Sequence, residues 1–344
     1  MQRQFLIGCL TAVMVAAGAA SAGAEAIKWK LGSALPPGHI TNDAMIDYTK
    51  RVKQRSGGEI DIELVPLDAV GFKEADLLRV LKQGVMDATF FAQFYAFRDD
   101  PLLANYLPTG GLTTPDDNMK ILDIQHAYAT KVLKDRWNAV VVTPIFNRSG
   151  RELILVSRTP MASLADLKGK KMRHFEKTGL IAFQNLGVAA QIVAQADLYV
   201  ALRTGVIDSA IHGIPNVKNQ SLWETTCCFS NMVPFTGQAV LNAIVVPQKN
   251  WDRLSDKQRT VLQDVGKELW AELLQEWRDG DRTQRETFEL FKQKGMKEMP
   301  AFSQDDRKAI QAAVLKAWKE ECQRLGPEAL DLYDRVAKAL GISS

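Results

Sequence analysis

Cysteine and histidine are scarce in this chain, which carries only four of each in 344 residues. The cysteines, Cys9, Cys227, Cys228 and Cys322, are too few for a disulfide scaffold and are not spaced like zinc ligands. His39, His126, His174 and His212 are scattered, with no pair at metal-ligand spacing, and His126 falls inside an amphipathic stretch where a structural role is the simplest reading. No glycine-rich phosphate loop and no nucleophile elbow is present; a triad assembled from distant positions stays open, because triads are recognised by geometry. Charge of one sign is also lacking: 43 Lys and Arg stand against 40 Asp and Glu, a formal net of +3. That balance argues against nucleic acid as a partner and tolerates a single small anion.

What is present begins at the N-terminus. Met1 to Phe5 carry one Arg, an apolar stretch follows from Leu6 to Ala20, and small residues end at Ala22-Gly23-Ala24. This is the layout of a secretory signal peptide, with cleavage expected after Ala24. Leu6-Ile7-Gly8-Cys9 has the local form of a lipoprotein site, but its apolar stretch lies on the wrong side of Cys9. No second long apolar run follows. Export makes a disulfide plausible. Cys227 bonded to Cys228, Cys322 bonded to either, and unpaired structural thiols all stay open, the last being the plainest.

The remaining length, about 320 residues, exceeds what a single core holds and favours two lobes. Ile27-Lys28-Trp29-Lys30-Leu31 alternates, as do Ile60, Ile62 and Leu64, so both read as strands. Between them a helix is expected from Thr41, its N-cap, to Ser56. Further strands are expected at Val140–Phe146, Leu153–Val156 and Ala239–Val246, with helices at Pro115–Asp135 and Ser163–Leu167. From Ser255 onward, Val261, Leu262, Val265, Leu269, Leu273 and Trp277 recur at helical spacing, giving one long helix or two collinear ones interrupted at Gly280. Residues Ala75 to Ala88 align with Ala196 to Ser209, seven of the fourteen positions being identical. Each copy is an amphipathic helix that stops at a glycine and turns into a strand. Two lobes of related design would set their strand ends, Phe90 to Tyr95 and Ala210 to Asn216, across a cleft, where open α/β sheets bind ligands.

Cations gather near one expected sheet: Arg148 and Arg151 precede the Leu153 strand, and Arg173 ends Lys170-Lys171-Met172-Arg173. Gly150-Arg151-Glu152, Pro160, Ser163-Leu164-Ala165-Asp166-Leu167-Lys168-Gly169-Lys170-Lys171-Met172-Arg173, Leu186-Gly187 and Asp197 to Asp208 together resemble the DctP-type substrate-binding proteins of TRAP transporters. The Leu35-Pro36-Pro37-Gly38-His39 loop and the long late helix extend the likeness over nearly the whole chain.

The resemblance implies an α/β, two-lobed periplasmic binding protein fold with a central cleft, crossover strands and a bridging helix near 252–294. Lobe I would comprise 25–148 and 238–279, and lobe II 149–237 and 280–344, after a signal peptide at 1–24. It further implies a periplasmic receptor, monomeric and without cofactor or metal. This receptor captures an organic acid and presents it to small and large TRAP permease subunits whose ion gradient drives transport. An ABC-type or sensor-linked receptor, or an enzyme on the same scaffold, are the alternatives.

By the same resemblance Arg173 holds the ligand carboxylate, a role suited to a planar, bidentate guanidinium, and Arg151 assists. His212 stands where the family commonly has an amide, and Ile211 replaces a polar neighbour, so the polar half of the site is altered. Phe90, Phe91, Phe94, Tyr95 and Phe97 around Gln93 form an aromatic wall, and Phe91 and Gln93 are taken as contacts. Phe235 and Gln238 lie where the family's chain crosses between lobes, and His39 lies in a loop able to reach the cleft. An acid of limited polarity, aromatic or weakly polar, fits these walls best.

Overall fold

The computed structural model describes residues 26–35, 38–145 and 151–342. The expected signal segment with Cys9, residues Pro36 and Pro37, and Arg148 with Gly150 lie outside the described residues.

The chain enters the first lobe as β1 (Ile27–Ser33), α1 (Ile40–Arg55), β2 (Ile60–Pro66), α2 (Leu77–Gln83), β3 (Ala88–Ala92), α3 (Asp117–Trp137) and β4 (Ala139–Pro144). It then builds the second lobe from β5 (Glu152–Ser157), α4 (Leu164–Leu167), β6 (Lys171–His174), α5 (Lys177–Asn185), β7 (Ala189–Ile192), α6 (Leu198–Thr204), β8 (Ser209–Gly213), α7 (Ile214–Asn219) and β9 (Cys228–Pro234). After returning through β10 (Asn242–Pro247), α8 (Gln248–Asp252) and α9 (Asp256–Arg278), it ends with α10 (Asp281–Gln293), β11 (Lys297–Glu298), α11 (Gln304–Leu325) and α12 (Pro327–Leu340).

Two sheets result, ordered β2-β1-β3-β10-β4 and β11-β9-β5-β8-β6-β7. In each, three parallel strands (β2, β1, β3 and β7, β6, β8) are followed by an antiparallel strand that has crossed from the other lobe, β10 or β5. The internal repeat is the seed of this symmetry. Gly84 and Gly205 end α2 and α6 in the left-handed region, at φ 68° and 76°, where a Cβ is strained. Three residues later Asp87 Oδ2 accepts the Lys30 backbone N–H and Asp208 Oδ2 the Lys171 backbone N–H, both at 2.9 Å. The same aspartate thus ties the same strand junction in both lobes.

Both faces of each sheet are covered. One face of the first sheet packs on α1 and α9 through Met45, Tyr48, Leu262, Val265, Leu269 and Leu273, and the other on α2 and α3. Helix α9 starts on a capping box, Ser255 with Gln258, and each large side chain it buries contributes roughly 1.5–3 kcal/mol. Helix α10 follows after Asp279 and Gly280 and buries Phe288 and Phe291 against the second sheet, so the bridging segment serves both lobes.

Several expectations are corrected. Helix α1 starts one residue early and is capped by His39, whose Nδ1 accepts the Thr41 N–H at 3.1 Å, not by Thr41. β10 starts at Asn242, not Ala239, because Ala239 lies in the turned crossing segment, its N–H on the Thr236 carbonyl. The C-terminal helices do not stay in the second lobe: α11 begins against it through Ile310 and Val314, then carries Trp318 and Cys322 into the first lobe's core. Helix α12 completes that core with Leu332, Tyr333 and Val336, the apolar partners that α3 needs. The same crossing removes Cys322 from any pairing: its thiol is fully buried beside Asn105 Oδ1 at 3.4 Å, while Cys227 and Cys228 are joined to each other at the start of β9.

Candidate functional site

The strand ends of the two sheets face one another across a cavity with an empty volume of about 490 Å³, its open mouth included. From the first lobe come Leu35, His39 and Thr41 at the head of α1, Phe90 on β3, Phe94 and Tyr95 in the turn after it, and Asn242. The second lobe supplies Leu153, Arg173, Phe175, Gln195, His212, Gly213 and Asn216, and Phe235 lies on the crossing between them.

Arg173 dominates the electrostatics. Side chains alternate along β6, and Arg173 is only 2% exposed, more deeply buried than a guanidinium without a counter-ion normally is. Its Nε donates to the Val193 carbonyl at 3.1 Å and its Nη1 to the Ile211 carbonyl at 3.2 Å. Among the described residues it has no carboxylate at ion-pair distance. Burial lowers its pKa, with Tyr95 and Glu74 opposing from a distance. The Phe175 ring covers one side, 5.5 Å away. A buried charge of this kind is costly unless something negative enters to meet it. The repeat shows how asymmetric the feature is: two residues beyond the strand-junction lysine the second lobe has Arg173, whereas the first has Gly32. A Cβ at Gly32 would meet Leu67 Cδ2 at 2.8 Å.

The surrounding imidazoles are neutral at neutral pH. Burial drives His39 down to about 4, and burial reinforced by Arg173 puts His212 well below its ordinary value. Because His39 Nδ1 accepts the Thr41 N–H, its proton rests on Nε2, making it a donor toward the cavity. His212 Nε2 is buried with no hydrogen-bond partner among the described residues. Rings fill the remainder in edge-on contact: Phe94 with Tyr95 at 4.4 Å, Phe94 with Phe175 at 5.7 Å, and Phe175 with Phe235 at 6.2 Å. The Phe94–Phe175 pair joins the lobes.

A second inter-lobe junction lies behind that pair. Glu176, 3% exposed, accepts hydrogen bonds from the Tyr106 hydroxyl and, at 2.5 Å, from the Thr109 N–H of the first lobe. Burial pushes its carboxyl up to about 7 against those donors. With Asn219 Nδ2 donating to the Gly38 carbonyl at 2.6 Å, the lobes are held in contact.

Of the expected contacts, the structure brings together Arg173, His212, His39 and Phe235, and places the other four elsewhere. Phe91 is 1% exposed on the opposite face of β3, because the pleat that turns Phe90 to the cavity turns its neighbour into the core. Gln93 is consumed by scaffolding: its Nε2 donates to the Leu103 and Asn105 carbonyls and its Oε1 accepts the Leu241 N–H. Gln238 does not line the cavity, and its carbonyl lies 3.1 Å from His126 Nε2. Arg151 points into a neighbouring space, donating to Asp116 at 2.6 Å and lying 5.0 Å over the Trp277 ring. Sequence reasoning did not expect Thr41, Phe175, Gln195 or Asn242 as contacts and placed Asn216 only at the cleft end of a strand; Phe175 had a signal, since it follows Arg173 at strand spacing.

Comparison with known proteins agrees with this architecture. The family model "DctP: Bacterial extracellular solute-binding protein, family 7" matches residues 31–324. A solute-binding protein of Chromohalobacter salexigens is 23% identical over 282 residues, 80% of this chain and 79% of its own length. A marine metagenome TRAP solute-binding protein, crystallised with co-purified pyroglutamate, superposes with a TM-score of 0.75 at 20% identity, covering 91% of this chain and 99% of its own. A TRAP periplasmic solute-binding protein of Rhodoferax ferrireducens with bound malonate gives 0.75 at 19% identity, covering 91% and 98%. These structural likenesses give the fold.

Proposed function

This chain belongs to the DctP family of bacterial extracellular solute-binding proteins, family 7, and from that premise we propose that it captures a small organic acid between its lobes, as the receptor of a TRAP-type transporter. The observation that carries the reading is Arg173, a buried guanidinium facing the cavity whose hydrogen-bond partners among the described residues are carbonyls. A ligand carboxylate supplies the missing charge through a charge-assisted, bidentate pair. His39 Nε2–H and Thr41 stand ready for the other polar edge, and the Phe90, Phe94, Phe175 and Phe235 rings take the body.

The acid is a monoanion of limited polarity, aromatic or weakly polar. Among the described cavity residues Arg173 is the only fixed cation, and His39 and His212 are neutral, so a second carboxylate would go unpaired. Binding favours the closed pair of lobes, because both lobes contribute to one cavity, and the closed form is what permease subunits would receive. The protein works in the periplasm as a monomer and returns its ligand unchanged.

Calorimetry with the mature chain tests this, using pyroglutamate, benzoate, malonate and galacturonate. A monocarboxylate binds, and Arg173→Gln weakens it by roughly two to three powers of ten, the cost of leaving one partner of a buried ion pair alone. Undiminished binding in that variant removes the assignment, and chemical conversion of the bound acid removes the receptor reading.

A further inference from the structure

Beside the aromatic cavity lies a second space, with an empty volume of about 800 Å³ including its mouth. Its walls are Ile40 at the head of α1, Ile214 and Pro215 at the start of α7, Leu273 and Trp277 on α9, and Gln284 and Thr287 on α10, with Arg151 and Glu276 at its edge. Three segments contribute neighbouring residues to both spaces. His39 and Thr41 line the first and Ile40 the second. Gly213 and Asn216 flank Ile214 and Pro215 in the same way. Leu153 of β5 faces the first, and Arg151, two residues before it, faces the second. The two spaces therefore border the same three segments.

We propose that this second space is an annex of the ligand site that takes the uncharged, apolar tail of an acid whose carboxylate rests on Arg173. The inference rests on the carboxylate reading above and narrows it to arylalkyl acids with a tail longer than a bare ring. Ile40, Ile214, Pro215, Leu273 and Trp277 make most of its wall apolar. Arg151 at its edge is already engaged by Asp116 and Trp277. The annex also straddles the bridging segment, since Leu273 and Trp277 precede the break at Asp279 and Gly280 and Gln284 and Thr287 follow it. A tail seated here touches both lobes and adds to the preference for the closed form.

The probe is the series benzoate, phenylacetate, 3-phenylpropanoate and 4-phenylbutanoate, titrated into the mature protein and into Gln284→Trp, which fills the annex from α10. Each added methylene is expected to tighten binding about fourfold, from its burial alone, so the series spans roughly fiftyfold. Gln284→Trp should abolish that gain while leaving benzoate within about twofold. Circular dichroism and melting of the ligand-free variant check its fold, and Ile40→Trp repeats the test from the opposite wall. Affinity that is flat or falls along the series overturns the annex, as does a gain that survives both fillings. Binding of pyroglutamate without any phenylalkanoate also overturns it while leaving the carboxylate site intact. Failure of every acid to bind the wild type overturns the receptor reading itself.

Discussion

Glu176 makes the closed form sensitive to pH, and the effect can be worked from its surroundings. Its carboxyl is buried between the lobes, accepting from the Tyr106 hydroxyl and the Thr109 N–H. Lys177 and Glu321 line the same small space and pair with each other at 3.7 Å, and the Tyr106 phenol is held protonated. Burial raises Glu176 from 4.5 to about 7. A carboxyl raised in the folded state binds its proton more tightly there than in the unfolded chain. Its contribution is therefore complete below about 4.5 and is lost as pH rises to about 7. A shift of this size, at about 1.4 kcal/mol per unit, corresponds to ~3 kcal/mol. Glu176→Gln keeps a neutral group of the same shape and abolishes the titration. Urea unfolding at pH 5, 6, 7 and 8 is the assay: the wild type should lose up to ~3 kcal/mol relative to the variant between pH 5 and 8, mostly below pH 7. Parallel curves for the two proteins would refute the reasoning, because they would mean that Glu176 has the same proton affinity folded and unfolded.

Two further outcomes follow from packing and thiol chemistry. Gly266→Ala, which by helix propensity alone should stabilise α9 by about 1 kcal/mol, is expected instead to destabilise by about 1–3 kcal/mol. The new Cβ would meet Thr143 Oγ1 at 2.2 Å and Thr143 Cβ at 2.4 Å, and a variant melting at or above the wild type would show that α9 can ride away from β4. Thiol titration of the mature chain should find none reactive when native and one when denatured, since Cys322 is buried and Cys227 is joined to Cys228; three thiols in denaturant would remove the disulfide.

The repeat was legible because it rests on local chemistry: a helix, a left-handed glycine and an aspartate that closes on the neighbouring strand repeat at fixed spacing, and so they fold alike. Arg173 was legible for a different reason, the motif around it. The Phe90 to Phe97 wall was half legible. A run of aromatics announces apolar surface, but which member faces the cavity depends on the pleat, and Phe91 fell on the wrong face. Gln93 was misassigned because its partners, Leu103 and Asn105 in the loop that follows and Leu241 far along the chain, are fixed only by the fold.

Patterns that depend on periodicity and on residues within one turn or strand are properties of the sequence, and they determined the α/β elements, the paired design and the cation at the end of β6. The route of α11 and α12 back to the first lobe, the isolation of Cys322, the diversion of Arg151 and the burial of Glu176 were decided by tertiary structure alone. Each depends on which surfaces meet across the cleft, and burial, which sets the cost of a charge and the partner it needs, exists only once those surfaces have met.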